Sequence, residues 1–193
     1  MPRTREFDTD QALGQAMHVF WRKGFADTSI DDLVKATGVS RYGLYGEFGN
    51  KRGLFQAALS FYNENIVGEI FDQVEEDDAS LPQVQQYFST LAVLSPTAAG
   101  RNGCLMCNTI TEEAAWDKKC IVQIKGFQRR VRSGFEKALG RARDKGEIEA
   151  QANPAEMANF LLGIAVAVST LSRQPVDKDM VANLIDSAMK RLA

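Results

Sequence analysis

Apolar residues recur at helical spacing along almost the whole chain, and this periodicity restricts the fold more than any other feature. The first case is a set at positions i, i+3, i+4 and i+7, formed by Leu13, Ala16, Met17 and Phe20. The same spacing predicts helices over about 82–94, 104–116, 118–145, 155–172 and 178–192. No segment shows the alternation of a strand, so the sequence predicts an all-α fold.

The longest predicted helix, 118–145, has two different faces. One face carries an apolar stripe, made of Ile124, Phe127, Val131, Phe135 and Leu139. The other face carries arginines, namely Arg129, Arg130, Arg132, Arg141 and Arg143. Because Glu136 and Asp144 alternate with these arginines, we expect a solvated helix surface there rather than a nucleic-acid patch.

Composition excludes several classes of protein. The chain has 193 residues, 45% of them hydrophobic, and a formal net charge of -2, so it is neither disordered nor a generic basic nucleic-acid coat. The apolar stretch 160–171 is shorter than the roughly twenty residues of a membrane helix, and the first residues lack the apolar core of a secretory signal. Three cysteines are too few for a disulfide framework. We therefore expect a cytoplasmic protein with reduced thiols.

Groups that support catalysis are scarce in this sequence. Histidine, which takes part in most acid–base, metal and triad chemistries, occurs only at His18. The sequence contains no P-loop, GxGxxG or GxSxG pattern. We predict neither an enzyme nor a bound cofactor.

The segment between Thr28 and Lys51 predicts a helix-turn-helix. Thr28 can cap a first short helix, with Asp31 three residues later as in a capping box. Gly38 can adopt the left-handed turn that ends this helix, and Ser40 can cap the next one. In a helix-turn-helix the second helix enters the major groove, and its first residues lie against the base edges.

In this arrangement each polar residue of the segment has a predicted role in DNA binding. Arg41 can read guanine or bind a phosphate, and Tyr45 can donate its hydroxyl to a phosphate. Helix N-termini with a nearby cation, as at Lys51, suit phosphate binding. The predicted DNA contacts are Thr28, Ser29, Ser40, Arg41, Tyr42, Gly43, Tyr45 and Lys51. The alternative is a plain helical hairpin with ordinary caps, which the combination of these residues in one short string disfavours.

The first sixty or so residues resemble the DNA-binding domain of tetracycline-repressor-like (TetR/AcrR) transcriptional regulators. The matching residues are Phe20, Gly24, Phe25, Thr28, Ser29, Ile30, Gly38, Val39, Ser40, Leu44, Tyr45, Phe48, Asn50 and Lys51. The resemblance implies a DNA-binding domain over 1–53 and an effector-binding and dimerisation domain over 54–193. It also implies a homodimer built by the helices near 155–172 and 178–192, which reads a roughly palindromic operator in double-stranded DNA.

Cys104 and Cys107 form a CxxC pair whose role the sequence leaves open. Zinc needs about four ligands, and only Cys120 and the distant His18 remain, so no metal is expected. A thioredoxin-like site needs a strand context that is absent here. Two interpretations remain: small buried hydrophobes, or a thiol sensor whose thiolate is favoured by a helix start and by any cations that lie close.

A ligand cavity in the larger domain is harder to read from the sequence. Besides Leu91, the predicted effector residues are Phe61, Tyr62, Phe88, Cys104, Met106, Cys107, Trp116 and Phe127. Each of these side chains is also an ordinary core residue, but together they indicate an apolar, aromatic or electrophilic ligand.

The favoured function is a repressor that a small-molecule or thiol-reactive effector releases from its operator. The alternatives are a transcriptional activator, or a helical protein-interaction module that binds no specific DNA. A small-molecule enzyme is disfavoured by the scarcity of catalytic groups.

Overall fold

The computed structural model describes residues 7–112, 115–174 and 178–192. The prediction of an all-α fold is confirmed, because these residues contain helices and no strand. The helices are α1 (Thr9–Lys23), α2 (Ile30–Thr37), α3 (Arg41–Phe48), α4 (Lys51–Phe61), α5 (Gly68–Glu75), α6 (Leu81–Leu94), α7 (Leu105–Thr111), α8 (Lys118–Asp144), α9 (Pro154–Ser172) and α10 (Lys178–Lys190). A π-helical stretch, Tyr62–Val67, joins α4 to α5, and a 3₁₀ turn, Gly100–Asn102, precedes α7.

Most predicted helix ends agree with these bounds, with two corrections. The N-cap of α2 is Ser29 rather than Thr28, because the Ser29 hydroxyl accepts from the amide of Asp32 and the Asp32 carboxylate accepts from the amide of Ser29. The capping box is thus shifted by one residue from the prediction. The helix predicted over 104–116 is wrong at its end, since α7 stops at Thr111.

The four N-terminal helices pack around an aromatic centre. α1 lies against α2 and α4, and α3 lies against α4. The rings of Phe20 and Phe55 meet edge to face with centroids 5.0 Å apart, and Phe25 lies 5.0 Å from Phe55. Leu33 of α2 and Leu44 of α3 are fully buried beside them. This packing fixes the two short helices of the predicted DNA-reading segment on the longer α1 and α4.

The long helix α8 organises the rest of the molecule. Its predicted apolar stripe is buried, and Phe135 contacts the rings of Phe71, Tyr87 and Phe88. On the opposite face Arg129 is exposed, whereas Arg130 is half-buried and forms ion pairs with Asp72 and Glu75 of α5. Arg130 therefore stabilises helix packing, while Arg132 and Arg143 pair with Glu136 and Asp144 of α8 itself, so this face is not a purely basic patch.

Helix α9 is the most apolar element and packs mainly against α8. Its mean hydropathy reaches 1.5 over an 18-residue window, so by length and composition alone it could cross a membrane. Such a window also occurs in helices that pack between other helices of a soluble domain. Only 28% of the α9 window is buried within the single chain, and further apolar residues such as Leu162 and Ile164 are partly buried at the edge of the core.

Candidate nucleic-acid interface and effector cavity

The turn between α2 and α3 has the geometry of a helix-turn-helix. Gly38 adopts the left-handed conformation with φ 67°, and its amide donates to the carbonyl of Val34 at 2.9 Å. Val39 is buried against the core, and the Ser40 hydroxyl accepts from the amide of Gly43 at 3.1 Å. α3 therefore starts immediately after a tight turn, with its position fixed by Val39 and by the Ser40 cap.

The N-terminal end of α3 faces solvent, as a DNA-reading helix requires. Ser40, Arg41 and Tyr42 are exposed, and Tyr42 retains 72% of its accessible surface although it is aromatic. Arg41 pairs with Asp31 of α2 at 3.1 Å. Because exposed ion pairs contribute only about 0–1 kcal/mol, this pair opposes a transfer of Arg41 to a base or a phosphate very weakly.

The other predicted contacts of this segment have different surroundings. Ser29 is exposed at the start of α2, and Tyr45 is half-buried against the core. A Cβ atom at Gly43 would come within 2.8 Å of Val39 Cγ1, so the glycine serves the packing of α3 on the turn. The Thr28 side chain is buried, and its hydroxyl donates to the carbonyl of Gly24 at 2.6 Å. Any contact of Thr28 with DNA would have to use its backbone.

Lys51 has a role inside the chain. Its ammonium donates to the carbonyl of Thr28 at 2.5 Å and lies 4.5 Å from the ring centre of Phe25. Burial is the main cause that lowers the pKa of this lysine. Lys51 therefore holds the loop between α1 and α2, and its phosphate contact stays a prediction.

A cavity of about 340 Å³ lies between α1, the α4–α5 segment and helices α6 to α9. Among the predicted residues it is lined by Tyr62, Leu91, Cys104, Cys107 and Phe127. Its other apolar and aromatic walls are Trp21, Ile66, Val67, Ile70, Tyr87, Leu94, Val131, Leu162, Ala165, Val166 and Val168. Such a volume with few polar groups suits a small, mainly apolar ligand.

Four predicted lining residues do not line this cavity. Phe61 lies over Gly14 of α1, whereas Phe88 stacks on Phe135 and is fully buried in the core. Met106 is also buried in the core, and Trp116 is half exposed, with its ring N–H donating to the carbonyl of Thr109. The prediction that these four residues line the cavity is therefore wrong.

Cys104 and Cys107 contact each other in the cavity wall. Cys104 is the N-cap of α7, and the Cys107 thiol donates a hydrogen bond to its sulfur. This bond, together with backbone amides and the Tyr62 hydroxyl, lowers the pKa of Cys104 from 9.0 to about 7. The same contact raises the pKa of Cys107. The largest lowering contributions are thus hydrogen bonds rather than nearby cations, and a lowered pKa favours the thiolate, which is the reactive form of cysteine.

The sequence did not reveal several cavity residues. His18 and Glu69 are exposed and mark the mouth, and Ser169 accepts from the Cys104 amide at 2.7 Å. Trp21 of α1 forms part of the wall, and its ring N–H donates to the carbonyl of Gly103 at 3.0 Å. One helix therefore belongs both to the helix-turn-helix unit and to the cavity. The ring N–H of Trp21 is a polar group that could have pointed to a role beyond packing. From the sequence position alone, however, Trp21 was expected only to pack in the core.

Two family models match this chain. The model described as bacterial regulatory proteins, tetR family, matches residues 12–58. The model described as tetracyclin repressor-like, C-terminal domain, matches residues 80–188. The first match contains the helix-turn-helix, and the second contains α9.

Curated relatives align along nearly the full chain. The HTH-type transcriptional repressor ComR of Escherichia coli (strain K12) is 28% identical over 192 residues, which cover 97% of this chain and 90% of that protein. The uncharacterized HTH-type transcriptional regulator YezE of Bacillus subtilis (strain 168) is 25% identical over 195 residues, and 100% of both chains is covered.

Among solved structures, a cysteine-substituted form of the TetR family regulator CifR has a TM-score of 0.83, with 21% identity, and covers 99% of this chain and 100% of that chain. That protein was solved in complex with a 26-base-pair operator DNA. At this identity the similarity shows the fold, and the family rests on the two matched models. The chain belongs to the TetR family of bacterial regulatory proteins and is a DNA-binding transcriptional regulator, not an enzyme.

Proposed function

We propose that this regulator is a homodimeric, cytoplasmic repressor that a small apolar or thiol-reactive effector releases from a roughly palindromic operator. The observation that carries the proposal is that α1 contributes both to the cavity wall and to the packing of the DNA-reading helices. Trp21 lies in the cavity wall, while α1 also packs against α2 and α4. An effector that binds one arrangement of these helices better than another would shift the population away from the operator-binding state.

The DNA contacts proposed for residues 1–53 divide into two kinds. Arg41 and Tyr42, at the exposed start of α3, are proposed to meet base edges in the major groove. Ser29, Ser40, Tyr45 and the N-terminus of α4 are proposed to meet phosphates, which position the protein without reading the sequence. For Thr28 and Gly43, the buried side chain and the close packing support a role of the backbone only.

Dimerisation is proposed through α9 and α10, within residues 54–193. Only 28% of the apolar window of α9 is fully buried in the single chain, and Phe160 and Met180 keep 39% and 51% of their surface exposed. A soluble protein seldom leaves so much apolar surface uncovered, and a second copy of the same chain supplies a matching face. The family resemblance favours this occupant.

The dimer is tested by sedimentation of the wild type and of Phe160→Glu. We expect the wild type at twice 21.3 kDa and the variant at 21.3 kDa, because the new carboxylate would be buried without a partner. Val122→Glu is the matched control, since Val122 is 69% exposed on α8, a helix outside the proposed interface, and this variant should remain a dimer. A monomeric wild type would refute this part of the proposal.

The thiol-reactive group is proposed to be Cys104. Its lowered pKa, its place in the cavity wall and its hydrogen bond from Cys107 support this assignment. Cys120 has its pKa raised to about 11, mainly by burial, and is therefore expected to be unreactive.

The operator is tested by selection from random double-stranded DNA at fixed salt. We expect inverted repeats whose half-sites are separated by about one helical turn, roughly 34–36 Å, or a multiple of it. Arg41→Ala should weaken binding and relax the preference at one position of each half-site. Recovery of no preferred sequence would refute specific DNA reading.

A further inference from the structure

Glu112 connects two parts of the molecule that are far apart in sequence. It follows the last residue of α7, and its carboxylate accepts hydrogen bonds from the amides of Phe25 at 2.9 Å and Ala26 at 2.5 Å. These amides belong to the loop between α1 and α2. Hydrogen bonds from backbone amides to a carboxylate are charge-assisted and stronger than neutral ones. Glu112 therefore fixes the loop that leads into the helix-turn-helix.

The loop is shaped to receive this carboxylate. Gly24 has φ 81°, and a Cβ atom there would lie 3.0 Å from Glu112 Oε2. Lys51 binds the loop from the other side through the carbonyl of Thr28, and its charge is attracted to Glu112. The loop is thus held by two opposite charges. Glu112, at the end of α7, binds two of its amides, and Lys51, at the start of α4, binds one of its carbonyls.

The other end of α7 lies in the cavity. Cys104 and Cys107 form part of the cavity wall, and the carbonyl of Gly103, just before the helix, accepts from the Trp21 ring. α7 contains only seven residues, and hydrogen bonds at both of its ends reach α1 or the loop that follows α1. Because α7 is short and is held near both ends in this way, we expect a displacement at its cavity end to reach the contact at Glu112.

We propose that Glu112 is the positioning residue through which occupancy of the cavity changes the setting of the DNA-reading helices. The inference rests on the proposed function of the cavity and deepens it. Ser29, the N-cap of α2, follows Phe25 by four residues, so a shift of the loop is passed to α2 and then to the α3 that packs on it. The carboxylate does not touch DNA in this account; it acts through the loop.

The experiment measures hydrogen–deuterium exchange of the Phe25 and Ala26 amides by NMR, before and after a perturbation at the cavity end of α7. One perturbation is the N-ethylmaleimide adduct of Cys104, identified by mass. The other is Cys104→Met, which needs no reaction. Both are introduced into the wild type, into Glu112→Gln, and into Glu112→Asp, whose shorter carboxylate keeps the charge.

Glu147→Gln is the matched control. Glu147 also accepts from a backbone amide at a helix start, that of Leu81 at 3.0 Å, and from the Ser80 hydroxyl at 3.1 Å. It is half-buried like Glu112, but it follows α8 and contacts the start of α6, away from the loop after α1. A general loss of stability would therefore appear in both variants, whereas loss of coupling would appear only at Glu112.

In the wild type and in Glu147→Gln, we expect either perturbation to change the exchange rates of the Phe25 and Ala26 amides by about five-fold or more. In both Glu112 variants the amides should exchange about ten-fold faster at the outset, and the perturbation should change them by less than about two-fold. A wild type that responds to neither perturbation, or a Glu112→Gln protein that responds like the wild type, would overturn the proposal.

Operator affinity, measured on the same proteins, separates this proposal from the proposed function. If the amides respond as expected but no specific DNA is bound, the coupling stands and the repressor function fails. If N-ethylmaleimide releases the operator equally from the wild type and from Glu112→Gln, the effector response stands and the role of Glu112 is refuted.

Discussion

Removal of the Cys107 thiol should return the pKa of Cys104 toward that of an ordinary cysteine. The lowering from 9.0 to about 7 corresponds to roughly 3 kcal/mol of stabilisation of the thiolate. The hydrogen bond from Cys107 is the largest contribution that lowers the pKa. We therefore expect Cys107→Ala to raise the pKa of Cys104 by about one unit or more, which is about 1.4 kcal/mol less stabilisation of the thiolate.

The assay follows the alkylation rate of Cys104 by iodoacetamide as a function of pH, with mass spectrometry as the readout. The reactive form is the thiolate, so the rate rises with pH and reaches half its plateau at the pKa. In the wild type that midpoint should lie near pH 7. At pH 7 the thiolate fraction should fall from about a half to about a tenth in Cys107→Ala, but the more basic thiolate is also about three times more nucleophilic. The rate at one pH therefore changes only about two-fold, and the midpoint is the decisive quantity.

Cys107→Ser is the control, because its hydroxyl keeps a donor in place of the thiol. Its midpoint should stay within about half a pH unit of the wild type. A midpoint near pH 9 in the wild type would refute the hydrogen-bonded thiolate, and an unchanged midpoint in Cys107→Ala would refute the role given to Cys107.

Four further variants test the packing and the N-cap of α3. Phe135→Ala removes a fully buried ring from the aromatic cluster and should lower the free energy of unfolding by about 3–5 kcal/mol in urea titrations; a loss below about 1 kcal/mol would contradict that packing. Arg130→Met should cost about 1–2 kcal/mol by the same measurement, whereas Arg132→Met, which loses one exposed ion pair, should cost under about 0.5 kcal/mol. Ser40→Ala removes the N-cap of α3 and should cost about 1 kcal/mol; equal operator affinity and melting temperature in variant and wild type would show that the cap is not needed.

Local sequence rules predicted the helix-turn-helix because its determinants are close together in the chain. The turn at Gly38 and the caps at Ser40 and Asn50 depend on backbone conformation and on amides three residues away. The same rules placed the cap of α2 one residue early, at Thr28, because a threonine and a serine are adjacent there and both can cap. Only the structure shows that the Thr28 hydroxyl donates instead to the carbonyl of Gly24, the residue that follows α1.

The cavity could be predicted only in part, because its walls depend on how whole helices are rotated. One residue along a helix turns a side chain by about 100°. Tyr87 accordingly lines the cavity whereas its neighbour Phe88 is in the core, and Cys107 lines it whereas Met106 does not. The hydrogen bond between Glu112 and Ala26 joins residues that are 86 positions apart in the sequence. Local sequence patterns do not predict contacts between residues so far apart.

The account is tested most directly by fluorescence anisotropy on the selected operator, with scrambled DNA of equal length as the reference and salt held fixed. Reduced protein, protein treated with a mild thiol oxidant, and the treated protein after added reductant are compared, alongside Cys104→Ser. We predict specific binding by the reduced protein, at least about ten-fold weaker binding after oxidation, recovery with reductant, and no response of the serine variant to the oxidant. Binding that prefers the operator no more than scrambled DNA, or a release that persists in Cys104→Ser, would contradict a regulator controlled through this thiol in the cavity wall.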